Sequence, residues 1–469
     1  MLQQIRRLRS LFQLHPFDTS TAGGRSKERL RRAALTTISA GAARVIGLSA
    51  SLISVPLTFR YLGAESYGIW MVLISIITMM GFADLGIGNG LMNAVSEAYG
   101  KDDRQLAKEY VTSAFVLMLG IATILAVAGA AGYPFVPWIR LFNVTSGAVA
   151  AEGARAFLVL FYWFVLSIPL GVVTRAQAGL QQGYIPQIVA SLGSIVSLLA
   201  LLLVISLHGS LTLLVFASTF GTIAATVLNG WFLFREHPWL LPSLHAYRRS
   251  SANKILKLGL LFFVLQFTFA IGFTSDNIVI AQVMGAAAVA AYAVPQKLFS
   301  VVTLGVGMAI APLWPAYGEA IARGDVEWVR RIFLGSLWLT LVITVPLGTL
   351  LALAGPWILR VAVGKSLHAP MSLLVVLAVW GVVNAVSTVM SMLLNGAGVL
   401  KVQAIMAVFA TFCNLALSIF LTRQLGVMGV CLGSIVTQLL IMFPTDFVLI
   451  QNLMRSLSKS VAGEPSWNH

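Results

Sequence analysis

The segment LMNAVSEAYGKDDRQLAK (91–108) recurs, in weakened form, as LWPAYGEAIARGDVEWVR (313–330). At a constant offset of 222, Leu91 aligns with Leu313, Ala94 with Ala316, and Glu97-Ala98 with Glu319-Ala320. Lys101 then aligns with Arg323, Asp103 with Asp325 and Lys108 with Arg330, and the same offset pairs Gly63-Ala64 with Gly285-Ala286. Each copy leaves one apolar stretch and runs into the next. Such a repeat predicts two halves of one design in the same orientation, related by an axis along the membrane normal, with a substrate path between them.

The sequence around the repeat is apolar throughout. Mean hydropathy is +0.89, 58% of the 469 residues are hydrophobic and only 10% are charged, too apolar for a soluble domain of this length. A hydrocarbon core about 30 Å thick takes about 20 helical residues to cross. Crossings are expected near 36–59, 67–92, 110–132, 155–175, 186–206, 211–234, 257–281, 290–313, 332–353, 369–392, 403–422 and 427–450. The fold class is therefore an all-α polytopic membrane protein of about 12 transmembrane helices in two six-helix bundles.

Lys and Arg fall almost wholly in every second break. With twelve crossings, 23 lie on the side of the termini and 6 on the other, with Arg44 and Lys297 left inside helices. This asymmetry predicts cytoplasmic termini, and it accounts for the formal charge of +15 without nucleic acid. The expected organisation is a cytoplasmic basic tail (1–33), a bundle (34–234), a cytoplasmic loop between bundles (235–256), a second bundle (257–451) and a cytoplasmic tail (452–469). Residues 2–14, LQQIRRLRSLFQL, read either as an amphipathic segment lying in an anionic leaflet or as a basic tail that only sets topology.

Polar residues follow helical spacing in several crossings. Thr37, Ala40, Arg44, Gly47, Ser51, Ser54 and Thr58 form one face of the first. Small residues on such a face serve tight helix packing, or the face lines a watery cavity. An Arg in mid-helix costs about 2.5–3.5 kcal/mol on insertion scales and so faces protein or water, or snorkels. Gln296, Lys297, Ser300, Thr303 and Gly307 share a side of the eighth crossing. The seventh carries Gln266 and Asp276, the second Asp84, the tenth Trp380, Asn384, Ser387, Ser391 and Asn395, and the eleventh Gln403, Thr411 and Asn414. Asp276 is a candidate partner of Arg44 or Lys297, and Asp446 reads as interfacial. Cys413 and Cys431 lie inside helices and do not suggest a disulfide. The six His have no metal-ligand spacing, no GxxxxGK[ST] occurs, and the short outer loops do not furnish an acid–base pair. No cofactor or metal is expected, and an enzyme is disfavoured.

Residues 55–91, VPLTFRYLGAESYGIWMVLISIITMMGFADLGIGNGL, resemble the signature of bacterial polysaccharide (O-antigen or exopolysaccharide) flippases. The resemblance rests on Pro56, Tyr61-Leu62-Gly63, Tyr67-Gly68-Ile69-Trp70 and Asp84-Leu85-Gly86-Ile87-Gly88, with TSDNIVIAQVMG (274–285) and AGLQQGYIP (178–186) in support. That family belongs to the multidrug/oligosaccharidyl-lipid/polysaccharide exporter superfamily. The resemblance implies two bundles opening alternately to each side of a bacterial inner membrane, and a polyprenyl-pyrophosphate-linked oligosaccharide as cargo. It also implies a pathway shared with glycosyltransferases and a polymerase. Arg44 and Lys297 would hold the pyrophosphate, with Ser51, Gln266, Gln296 and Asn384 also lining the cavity, and Asp84 and Asp276 would balance charge or bind a coupling cation. The alternative within the superfamily is a cation-coupled multidrug exporter.

Overall fold

The computed structural model describes residues 16–142, 146–363 and 370–461; the segment 2–14 considered above lies outside them. The described residues are helical with short connections, and ten helices are long and apolar enough to cross a membrane. The first half contains α1 (Ala22–Met79), α2 (Ile87–Gly100), α3 (Arg104–Gly132), the short α4 (Trp138–Phe142), α5 (Gly147–Gly179), α6 (Tyr184–Ser206) and α7 (Leu211–Glu236). Then follow α8 (Arg249–Met284), α9 (Ala286–Ile310), α10 (Leu313–Ala322), α11 (Val326–Val363), α12 (Met371–Ala397), α13 (Lys401–Leu425), α14 (Met428–Thr437) and α15 (Phe443–Val461). The chain divides into two compact units after Leu260, within α8.

The second expected crossing, 67–92, is not one helix. α1 bends at Gly63 (φ 73°) and runs to Met79. A 3-10 turn at Met80–Phe82 and a turn through Leu85 (φ 50°) and Gly86 (φ 70°) then separate it from α2. The Asp84 carboxylate accepts the Gly86 N–H at 3.0 Å. This local bond offers the backbone an alternative to helix, and hydropathy alone does not register it. The twelfth crossing is interrupted too, by a π-helical turn at Gln438–Met442 between α14 and α15.

α2 is buried nearly all round, with Ile87, Leu91, Ala94, Val95 and Ala98 in the core of the first unit. Its glycines explain how. A Cβ on Gly90 would stand 2.7 Å from the Ile255 carbonyl oxygen and 3.0 Å from the Gly259 nitrogen of α8. A Cβ on Gly88 would stand 2.9 Å from Arg175 Nε and 3.0 Å from Asp84 Oδ2. Small residues play the same part elsewhere: Gly193 meets Gly221 and Ala225 across α6 and α7, and Gly433 meets Ser418 across α14 and α13. Without a hydrophobic drive between helices in lipid, such close approach supplies the packing energy.

The repeat is carried by the backbone at its turns. Gly63 (φ 73°) corresponds to Gly285 (φ 93°), and Asp102 (φ 54°) to Gly324 (φ 74°). Between α2 and α3, Lys101 N–H donates to Glu97 O, Asp103 N–H to Ala98 O and Ala107 N–H to Asp103 O. Between α10 and α11 the same bonds run from Arg323 to Glu319, Asp325 to Ala320 and Val329 to Asp325, each displaced by 222. The side chains follow suit, Lys101 with Glu97 and Arg323 with Glu319.

The segment after α7 lies along the first unit. Leu240 is fully buried in its core, and the Ser113 hydroxyl donates to the Arg248 carbonyl at 3.3 Å. Lys254 Nζ donates to Glu97 Oε2 at 2.7 Å and to the Tyr110 hydroxyl at 3.0 Å. Burial pushes the Glu97 carboxyl up, but the hydrogen bonds from Lys101 and Lys254 prevail and hold it below its ordinary value. Burial likewise pulls Lys254 down, and its bonds to Glu97 and Tyr110 more than restore it, leaving it raised.

Two outcomes are expected. Gly90→Ala should destabilise the protein by about 1–3 kcal/mol, the usual cost of overpacking. Gly41→Ala, where nothing lies within 4 Å of the added Cβ, should be neutral or gain up to about 1 kcal/mol from helix propensity. Melting in detergent measures both, and equal effects would refute the close approach of α2 and α8. Glu97→Gln should lower the stability at pH 7 by on the order of 1 kcal/mol or less, since both partners are partly exposed. A depressed carboxyl stabilises above its unfolded pKa of roughly 4.3. The difference from wild type should therefore shrink as pH falls through the lower folded value; a difference constant down to strong acid would remove the ion pair as its cause.

Candidate functional site

Arg44 lies in mid-span on α1 and is exposed. Its guanidinium has no hydrogen bond or ion pair among the described residues. Ser51, two turns on, is also exposed. At Gly41 and Gly47 of the same helix an added Cβ would meet nothing within 4 Å. Small residues that touch nothing do not serve tight packing, so the α1 face is open from Gly41 to Ser51, though Thr58 at its far end is buried.

Lys297 on α9 is exposed, and among the described residues its ammonium has no partner. Gln296 beside it is half-buried, and Gly305 and Gly307, further along α9, likewise have open space where a Cβ would stand. Gln266 on α8 is half-buried and donates to the Phe262 carbonyl at 3.3 Å. By the offset of the repeat, Gln266 stands where the first half has Arg44.

The two acids differ from each other in surroundings. Asp84 flanks the Gly88 gap together with Arg175 of α5, and their opposite charges attract. Arg175, counted in the sequence as a topology charge, is thus the counter-charge that spacing did not reveal. Asp276 is buried and accepts a hydrogen bond from the Tyr292 hydroxyl at 2.9 Å. Among the described residues of its own unit it has no cationic partner, and its Oδ1 has no hydrogen bond. Asp446 is fully buried, with neither carboxylate oxygen hydrogen-bonded among the described residues. This corrects the interfacial reading: one turn beyond the π-helical segment, it points into protein.

The polar positions of the tenth and eleventh crossings meet Asp276 in one cavity of about 260 Å³ inside the second unit. Asn384, Ser387 and Asn395 of α12, Gln403 and Asn414 of α13, and Gln438 line it. Gln438 donates to the Ser387 hydroxyl at 2.7 Å and Asn414 to the Ser434 hydroxyl at 2.9 Å. Three buried acceptors, Asp276 Oδ1, Asn395 Oδ1 and Gln403 Oε1, lack donors. Buried acceptors left unmet cost about 1–3 kcal/mol each, so the cavity favours a donor or a cation. Of the residues expected to line the substrate path, Asn384 is here, whereas Gln266, Gln296 and Lys297 do not line this cavity. Among the described residues no three His, Cys, Asp or Glu side chains cluster as metal ligands.

A Yersinia pseudotuberculosis protein named for O-antigen export is 21% identical over 418 residues, covering 87% of this chain and 93% of its own. A Salmonella typhimurium protein named as an O-antigen transporter is 24% identical over 427 residues, covering 85% and 92%. Among solved structures, a MATE transporter in its bent conformation superposes with a TM-score of 0.74 at 17% identity, over 97% of this chain and 99% of that one. An outward-facing multidrug resistance MATE transporter of the MOP superfamily gives 0.72 at 17% identity, over 92% and 96%. These likenesses show the fold. The MatE family profile matches residues 262–420, and the profile described as polysaccharide biosynthesis protein matches residues 35–320. The chain is a multi-pass membrane protein and belongs to the polysaccharide biosynthesis protein family.

Proposed function

We propose that this protein is a flippase that carries a polyprenyl-pyrophosphate-linked oligosaccharide from the cytoplasmic to the periplasmic leaflet of the bacterial inner membrane. The observation that carries this reading is two exposed cations within membrane-crossing helices, Arg44 in mid-span on α1 and Lys297 on α9, on polar helix faces without partners among the described residues. A cation left so in a membrane helix is retained for what passes it. The pyrophosphate is the strongly charged group that every such cargo carries. A guanidinium fork and an ammonium suit its oxygens, and Ser51, Gln266, Gln296 and Asn384 offer the neutral donors and acceptors that a glycan requires. The lipid tail stays in the bilayer. The relatives named for O-antigen export support a glycan cargo, and the pathway would include glycosyltransferases and a polymerase.

Asp276 fits the ion-coupling part better than Asp84. Asp84 already has Arg175 beside it, a charge-balancing role, whereas Asp276 opens onto a cavity rich in unmet acceptors. That cavity also favours the second reading, a cation-coupled multidrug exporter, in which Arg44 and Lys297 would be dispensable.

Arg44→Ala and Lys297→Ala should each reduce surface glycan at least tenfold while lipid-linked precursor accumulates and protein level is unchanged. Near-normal display from the double variant would sink the flippase reading and leave the exporter. Asp276→Asn, which keeps the shape and the Tyr292 contact, should slow transport at least tenfold if a cation is coupled there. The concentration of Lys and Arg in every second break supports cytoplasmic termini. Leu244→Cys, at a side chain 83% exposed, should then resist an impermeant thiol reagent in intact cells and react in inverted vesicles. The reverse pattern would overturn the orientation.

A further inference from the structure

At the basic end of the first unit, about three turns along α1 from Arg44, lies a second cavity of about 500 Å³. Its walls come from four places: Arg32 of α1, the α2–α3 turn, the loop after α5, and the segment after α7. The size falls within the roughly 300–1,000 Å³ of small-molecule sites. We propose that it is a carbohydrate-binding site, taking an uncharged stretch of the glycan before or beside transport.

The lining selects against an anion. Arg32 and Arg104 face Asp102 and Asp103, so the formal charges cancel, and Arg32 is already bound to Glu28 at 2.8 Å, to the Tyr99 hydroxyl and to the Leu180 carbonyl. Burial, aided by nearby Arg32 and Arg104, holds His237 below its ordinary value in spite of Glu236, which leaves the imidazole neutral at pH 7. A phosphate would meet two carboxylates and no surplus of positive charge. A polyol meets donors and acceptors in balance.

Two further features fit a sugar. Trp239 presents an aromatic wall, half-buried, with the Arg104 guanidinium 5.8 Å from its ring centroid. Aromatic faces are electron-rich and attract the polarised C–H groups of a pyranose. Gln182 is only 7% exposed, and its Oε1 has no hydrogen-bond donor, while its Nε2 lies 3.2 Å from Glu236 Oε1 and 3.1 Å from His237 Nε2. A buried amide oxygen fixed by its own nitrogen and lacking a donor gains from a hydroxyl that a small shift of the side chain brings within reach.

The repeat supplies an independent comparison. Asp102 holds a left-handed φ of 54°, and its counterpart in the second half is Gly324 at 74°. Glycine takes this conformation without steric cost. The first half keeps instead an aspartate that lines the cavity.

The site is tested with full-length protein in nanodiscs and the oligosaccharide released by mild acid from the cell's own lipid-linked precursor. This probe lacks pyrophosphate and lipid. Calorimetric titration should give saturable binding, weakened at least tenfold by Trp239→Ala and by Gln182→Leu, and undisturbed by equimolar inorganic phosphate. Asp102→Gly guards against misfolding: it restores the second half's residue, should melt no lower than wild type, and should still weaken binding severalfold. No saturable binding, binding unmoved by these variants, or displacement by phosphate overturns the proposal. The proposal rests on the flippase reading only for the identity of the glycan. The Arg44→Ala, Lys297→Ala variant tests that reading apart from this one, since it should bind the free oligosaccharide normally while failing in display.

Discussion

Charge cannot be left unanswered in a low-dielectric interior, and the structure is arranged around four answers to that constraint. Asp84 and Arg175 flank a glycine that leaves room for both. Asp276 takes a tyrosine hydroxyl and a cavity of amides. Asp446 is enclosed after a helical turn loosened to π geometry, a distortion common at functional sites. Arg44 and Lys297 stand on open helix faces. Only the last answer leaves a cation's hydrogen-bonding capacity for something that arrives from outside.

The Asp84 turn shows how fold and chemistry share residues. Gly86 adopts the left-handed conformation that ends one helix and starts the next. Gly88 makes space for the charges, and Gly90 lets the backbone of α8 approach. A motif that reads as a family signature is therefore first a packing device. It fixes α2 against the start of α8, and Lys254, one turn from that contact, secures the same junction through Glu97.

Hydropathy made the membrane class and most crossings legible, because burial in lipid demands length and apolarity and little else. The repeat was legible because its positive-φ turns and its i,i+4 charge pairs are short-range features written in adjacent residues. Contacts between distant residues were not legible. The break in the second crossing depends on an Asp–Gly bond hidden in an apolar run. The partners of Asp84 and Asp276, Arg175 and Tyr292, are set by packing between helices. Polar spacing on the tenth and eleventh crossings did announce a polar interior, but not that Asn384 would share it with Asp276 while Gln266 and Gln296 stayed outside.

The places where the two halves differ say most about what each does. Where the scaffold needs only geometry, the halves agree: glycine at 63 and 285, the same three backbone bonds at the turns, the same acid–base pair. Where chemistry is at stake they part. Arg44 answers to Gln266, Ser54 to Asp276 and Asp102 to Gly324. Substitution at matched positions of one architecture changes charge without changing backbone: position 44 carries a cation where 266 is neutral, and position 276 a buried acid where 54 is neutral. A carrier that attracts an anion and also responds to a cation would need both charges, each written into its own copy of the repeat. The duplicated design permits that separation, and a single copy used twice would forbid it.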